Sequence, residues 1–150
     1  MKIETDQSKI IIYLSFFDKN EEFDCSEENF KELFLKLKKY YKLDLKGYYK
    51  INVYQDKKYG IVLDIVKEDI EYIDYFNSQV EMKIIFYEED FLYLLNNVYD
   101  IDILKKGKIY QKKDIYFKII NSLSKKEMLQ LLENSKLIYN PEEIARITKL

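Results

Sequence analysis

The sequence predicts an α+β fold made of two β-α-β-β-type halves, in which the sheets are antiparallel, helices pack on one face, and extra helices follow at the C-terminal end. Three observations on the 150 residues lead to this fold class. Apolar residues alternate with polar ones in several short segments, recur at helical spacing in others, and both kinds of segment follow one another in a similar order in the two halves. The predicted N-terminal unit covers residues 1–69, a short connector covers 70–79, and a β-α-β-β-α-β-α unit covers 80–150.

The first half begins with a strand and a helix. Residues 9–17 are apolar on both alternating faces, which predicts a central strand that is covered on both sides. Ser26 or Asp24 is placed to cap the next helix, where apolar residues from Phe30 to Tyr41 form a stripe at helical spacing. Acidic residues at the start of this helix and lysines near its end suit the helix dipole.

Residues 46–68 form the clearest hairpin in the sequence. Apolar residues alternate with polar ones from Tyr49 to Val53, a polar turn follows at residues 55–58, and the alternation resumes from Ile61 to Ile65. One face of this hairpin should therefore enter a core. The other face is expected to point outward, and it carries Tyr48, Lys50, Tyr54 and Asp64.

The second half repeats the order of strand, helix and hairpin. Alternation over residues 80–86 predicts a strand, three acidic residues at 88–90 precede a predicted short helix from Phe91 to Val98, and residues 107–120 form a second hairpin. Ser124 and Glu127 then form a capping box that opens a further helix, and residues 136–139 form a short strand. Asn140 and Pro141 are typical of the start of a last helix.

The composition excludes several kinds of active site. Histidine is absent, Cys25 is the single cysteine, and three scattered glycines form no phosphate-binding loop. Cys25 lacks a histidine partner and is interpreted as a partly buried thiol, and the acidic pairs near helix starts are interpreted as dipole charges. We therefore predict no catalytic residue, no cofactor and no metal. Since no membrane span or signal peptide is visible, a cytoplasmic location without membrane contact is expected.

A nucleic-acid interface has one candidate segment. Lysines and tyrosines interleave over residues 36–50, where lysine would neutralise phosphates and tyrosine would stack on bases. Lys46, Gly47 and Tyr48 open like an RNA-recognition motif, but Tyr49 and Lys50 then depart from that pattern. The net charge of −2 also gives the whole chain no basic footprint, so nucleic acid is the less favoured partner.

The remaining candidate for function is a surface on the two hairpins. If the alternation holds, the faces turned away from the helices carry large amphipathic side chains: Tyr48, Lys50, Tyr54, Tyr110, Tyr116 and Lys118. Tyrosine is enriched in protein interfaces because it combines a large contact area with a polar tip. This face either binds a protein partner or is covered by the other half of the chain.

The order of elements resembles that of the MecA adaptor family. In the first half the resemblance rests on residues 1–4 (MKIE), residues 9–15 (KIIIYLS) and the hairpin at 47–66. In the second half it rests on residues 90–92 at a helix start, 107–110 and 115–117 in a hairpin, and 131–138 at the end of a helix and in a strand. The chain departs from the family in being shorter, with almost no linker between its halves.

The resemblance implies a non-enzymatic adaptor that binds a protein substrate and docks on a Clp-type ATPase in regulated proteolysis. An alternative is a small inhibitor or regulator that binds one protein partner directly. An RNA-binding module is a third possibility, and an enzyme is the last. The oligomeric state and the identity of the partner are left open by the sequence.

Overall fold

A computed structural model describes residues 1–6, 9–16, 26–42, 47–68, 80–96 and 101–149. The nine strands are β1 (Lys2–Asp6), β2 (Lys9–Ser15), β3 (Gly47–Asp56), β4 (Gly60–Lys67), β5 (Val80–Glu88), β6 (Leu92–Leu95), β7 (Gly107–Gln111), β8 (Ile115–Ile119) and β9 (Ser135–Ile138) in this part of the chain. Its helices are α1 (Glu27–Tyr41), α2 (Ile101–Leu104), α3 (Lys125–Glu133) and α4 (Pro141–Thr148). The predicted α+β fold class is confirmed.

The chain divides into two compact units. The first comprises residues 1–53 and 62–86, and the second comprises residues 54–61 and 87–150. One sheet has five strands in the order β1-β2-β4-β3-β5, and the other has four in the order β7-β8-β6-β9. The tip of the β3–β4 hairpin is thus part of the second unit, although most of that hairpin belongs to the first.

The first unit buries one face of its sheet together with Phe30, Leu33, Phe34 and Leu37 of α1, whereas Tyr40 near the end of the predicted stripe is exposed. Buried side chains alternate along β2 and β3, as expected of strands with one core face. Ser26 caps α1, since its side chain accepts a hydrogen bond from the Asn29 amide at 3.2 Å. At the other end Lys42 takes a left-handed conformation, with φ of 56°, and closes the helix. Phe34 of α1 meets Tyr49 of β3 edge to face, with 5.9 Å between the ring centres.

The second unit contains the antiparallel pairs β7–β8, β8–β6 and β6–β9. The predicted capping box at α3 is confirmed, because Ser124 and Glu127 satisfy each other's backbone N–H groups. The predicted start of α4 is also confirmed, with Asn140 as the N-cap and Pro141 in the first turn. Ile144 and Ile147 of α4 pack with Leu92 and Ile138 in one apolar cluster.

Two elements differ from the sequence-based expectation. The predicted helix over Phe91–Val98 is wrong for the residues described, because Leu92–Leu95 form strand β6 between β8 and β9. Three of these four side chains are buried, so pairing on both sides and a nearly continuous apolar run outweigh helical spacing. Val98, the predicted connector 70–79 and Cys25 lie outside the described residues.

The second difference concerns strand β5. The sequence assigns residues 80–86 to the C-terminal half, whereas the structure places β5 beside β3 in the five-stranded sheet. Strand β1, which the sequence analysis does not assign, pairs with β2 over Lys2–Asp6 in the same sheet. Strand partners are set by non-local pairing, which the order of elements along the chain does not specify.

Candidate functional site

Tyr110, Tyr116 and Lys118 of the predicted surface lie together on the β7–β8 hairpin. Tyr110 is directly opposite Tyr116, and Lys108 is directly opposite Lys118, so all four side chains share one face. Both tyrosine rings are half-buried against the apolar cluster that includes Ile144 of α4. This face is therefore covered by the C-terminal helix of its own unit, and the two rings contribute to the core.

The lysines of this face have partners nearby. The Lys118 ammonium lies 3.3 Å from the Asp90 carboxylate, and the Lys108 ammonium lies 4.8 Å above the centre of the Tyr110 ring. The ring of Tyr110 offers its negative face to the cation. Lys108 consequently stays at the edge of the hairpin with its charge exposed.

Tyr54 lies in the interior of the second unit. Only 6% of its surface is exposed, and its ring is 5.1 Å from those of both Tyr87 and Tyr139. The expectation that Tyr54 points into solvent is therefore wrong. The stacked rings bury apolar area that an exposed hairpin face could not bury.

Tyr48 and Lys50 are half-buried on β3 in the first unit. Asp64, which was also expected to point outward, is buried and pairs with Lys9 at 3.3 Å. Its second carboxylate oxygen and the side-chain oxygen of Asn52 are both buried without a hydrogen-bond partner. This part of the sheet is thus more enclosed than the alternation of residues indicates.

The predicted polar turn of the β3–β4 hairpin contains a buried carboxylate. Asp56 is 6% exposed. Its Oδ1 atom accepts hydrogen bonds from the backbone amides of Lys58 at 2.6 Å and Tyr59 at 3.3 Å, and Oδ2 accepts one from the amide of Phe91 at 2.6 Å. A buried carboxylate needs such donors, so Asp56 fixes the turn onto the start of β6.

Lys58 and Tyr59 make further contacts within the second unit. The Lys58 ammonium donates to the backbone carbonyl of Ile119 at 3.1 Å and to that of Ile120. The Tyr59 ring packs against Phe91, with 5.8 Å between the centres. An aspartate followed by lysine and tyrosine is common in exposed turns, so no local signal distinguishes this buried turn from an ordinary one.

Tyr93 of β6 is a buried tyrosine close to this turn. It is fully enclosed, and among the described residues its hydroxyl has no hydrogen-bond partner. Burial raises the pKa of Tyr93 well above the usual value for tyrosine, with smaller contributions from the Asp56 and Tyr59 charges. The phenol is thus held in its protonated form, which makes it a structural group rather than an acid or base near neutral pH.

Strand β7 forms an open edge of the four-stranded sheet. In the described part of the chain its pairing partner is β8 alone. The amide of Ile120 donates to the carbonyl of Lys106, and the amide of Lys112 donates to that of Asp114, both at 3.0 Å. In an antiparallel ladder the residues that bond to the partner strand alternate with residues that face away. The backbone groups that face away from β8 are those of Gly107, Ile109 and Gln111.

This open edge is strongly basic. Residues 105–118 contain six lysines and one aspartate, in a chain whose net charge is −2. Lys106 is paired with Glu127 at 2.8 Å and Lys118 with Asp90. Among the described residues, no carboxylate pairs with Lys105, Lys108, Lys112 or Lys113. The sequence predicts the hairpin but not that its lysines lie at a sheet edge, because strand order is set by non-local pairing.

No group of three or more potential metal ligands occurs among the described residues. In that same part of the chain, no helix has the length and apolar character needed to cross a membrane. Comparisons with protein-family models, with characterised proteins and with solved structures found no match to this chain.

Proposed function

We propose that this chain is a non-enzymatic adaptor that binds a protein substrate and delivers it to a Clp-type ATPase for regulated proteolysis. The proposal starts from the resemblance to the MecA adaptor family of residues 9–15, the hairpin at 47–66, and residues 107–110, 115–117 and 131–138. It includes a cytoplasmic location.

The observation that best supports this function is the division of the chain into two compact units. Each unit has its own sheet and its own buried apolar side chains. An adaptor has to hold two partners at once, and two separately packed units provide two surfaces for that purpose. Among the described residues, the strands at the ends of each sheet are paired on one side only, and such edge strands are a frequent means of binding other chains.

The test is an affinity purification from bacterial lysate with the tagged chain, with and without nuclease, followed by mass spectrometry. A Clp-type ATPase is expected to be enriched in both samples. The same ATPase, purified, should then co-elute with the purified chain in size-exclusion chromatography. Failure of the purified pair to associate would contradict the proposal.

Two other outcomes would favour other functions. One stoichiometric protein partner without any ATPase would indicate an inhibitor or regulator. Enrichment that disappears with nuclease and falls steeply with salt would indicate an RNA-binding module.

A further inference from the structure

In the part of the chain that the structure describes, no strand pairs with the outer side of β7, and a row of its backbone groups faces outward there. Gly107, Ile109 and Gln111 direct their N–H and C=O groups away from β8, as the hydrogen bonds at the two ends of the hairpin require. Ile109 is 45% exposed, and Lys108 and Gln111 are exposed as well. An extended segment of another chain could therefore pair along this edge and complete the bonds of these three residues.

Lysines lie before, within and after β7, and their charge indicates which kind of segment would pair with this strand. Lys105 precedes β7, Lys113 follows it, and Lys108 lies within it. All three are exposed. A paired strand that carries carboxylates along its length would meet positive charge at both ends and in the middle.

The edge strand β1 does not show this combination. Strand β1 carries charges of both signs, and its Lys2 and Glu4 pair with each other at 3.1 Å. A second copy of β7 is disfavoured as the occupant because its own lysines would lie beside these lysines. A nucleic acid is also disfavoured, because Tyr110 and Tyr116, the aromatic residues of this hairpin best suited to stacking, are packed against the apolar cluster.

We propose that β7 binds an extended, acidic segment of a protein substrate as an additional strand of the sheet. This inference rests on the proposed adaptor function and specifies its substrate class. The segment forms backbone hydrogen bonds to Gly107, Ile109 and Gln111, and its carboxylates lie near Lys105, Lys108 and Lys113.

The probe is a peptide of eight alternating glutamate and valine residues that carries fluorescein on its N-terminal amine and an amide at its C-terminus. Binding to the full chain is measured by fluorescence anisotropy, and amide hydrogen exchange is followed by NMR. Exchange at Gly107, Ile109 and Gln111 should slow when the peptide binds. N-methylation of two consecutive central residues removes one N–H from each edge of the peptide, and the methyl group on the paired edge also keeps the strands apart, so it should weaken binding at least about tenfold.

Two variants of the chain test the same edge. Ile109→Pro removes one outward N–H without removing a hydrogen bond to β8, and it should weaken binding of the acidic peptide about tenfold. Ile109→Thr is the matched control, because it keeps the N–H and a strand-favouring side chain, and it should bind within about twofold of the unmodified chain. The backbone chemical shifts of β8 report whether either variant disturbs the hairpin. The N-methylated peptide keeps the test valid if Ile109→Pro does not fold.

Several results would overturn the inference. Equal binding of the acidic and N-methylated peptides would rule out strand addition, and equal binding of a peptide with lysine in place of glutamate would rule out the charge argument. Tighter binding of a labelled 20-residue oligouridine that protects the same three amides would make this edge a nucleic-acid surface.

The peptide-binding test of β7 and the ATPase-binding test of the adaptor function can give different results. If the ATPase associates but the acidic peptide does not bind, the adaptor proposal stands and the inference on β7 is wrong. If the peptide binds through β7 but no ATPase associates, β7 is a peptide-binding edge and the adaptor proposal is wrong.

Discussion

Replacing Tyr93 with phenylalanine should stabilise the second unit. Tyr93 is completely buried, and its hydroxyl lacks a hydrogen-bond partner. Burying a hydroxyl without a partner costs about 1–3 kcal/mol in measured variants. The void left by the oxygen, roughly 10 Å³, costs only about 0.2 kcal/mol. We therefore expect Tyr93→Phe to raise the free energy of unfolding by about 1–2 kcal/mol.

The assay has to report on the unit that contains β6. Native-state amide hydrogen exchange at Leu92, Tyr93 and Leu95 measures the local free energy of opening, and urea unfolding followed by circular dichroism measures the whole chain. Tyr40→Phe is the control, because Tyr40 is 67% exposed and its hydroxyl is hydrated in both the folded and unfolded states. The control should change stability by less than about 0.5 kcal/mol.

The pH dependence of stability provides a second test of the role of Tyr93. Burial raises the pKa of Tyr93 in the folded state, so the unfolded chain loses this proton at a lower pH, about 10, than the folded chain does. The stability that depends on the protonated phenol is therefore complete below the unfolded pKa and is lost as the pH rises through the folded pKa. The advantage of Tyr93→Phe should therefore grow between about pH 9 and pH 11. Destabilisation by more than about 0.5 kcal/mol at pH 7 would show that the hydroxyl makes a favourable hydrogen bond and would refute this reasoning.

Three further predictions concern the second unit. Asp56→Asn should destabilise this unit by about 2–3 kcal/mol in urea unfolding, because one of the two buried oxygens is replaced by a donor that faces a backbone N–H. The control Asp114→Asn, in the exposed β7–β8 turn, should have little effect. Similar losses for both variants would contradict the role of burial. The pKa of Glu127 is lowered to about 2, mainly by a hydrogen bond from the Lys106 side chain and next by one from the Ser124 backbone N–H. The stability that ionised Glu127 contributes is therefore present above about pH 4.5 and is lost as the pH falls through 2. Stability measured from pH 5 to pH 2 should accordingly fall less in Glu127→Gln, and parallel curves would count against this coupling. Gly107→Ala should destabilise β7 by about 2 kcal/mol or more, since the added methyl group would overlap the Lys118 carbonyl and the Phe117 ring. An unchanged melting temperature would show that the two strands can move apart to accommodate the methyl group.

Local patterns in the sequence predict several elements correctly. The hairpins at β3–β4 and β7–β8, the capping box at Ser124 and the N-cap at Asn140 all follow from residues within a few positions of each other. The hydrogen bonds and apolar alternation that specify these elements act over the same short range. The α+β class follows from their order along the chain.

The order of strands in each sheet and the burial of individual side chains could not be predicted from local patterns in the sequence. Residues 92–95 suit a helix or a buried strand equally well by periodicity, and pairing with β8 and β9 decides between them. Tyr54 and Asp56 lie in a hairpin that appears half-exposed, and the rings of Tyr87 and Tyr139 and the amide of Phe91 enclose them. Those partners are more than 30 positions away in the sequence.

The sequence by itself therefore determined the class of fold, the helix caps and the hairpins, and it contains no histidine. Only the tertiary structure decided that Tyr110 and Tyr116 lie under α4, that Asp56 and Tyr93 are buried, and that among the described strands β7 ends a sheet with Lys108 exposed. The physical reason is that caps and turns depend on neighbours along the chain, whereas burial and open edges depend on which distant segments pair and pack.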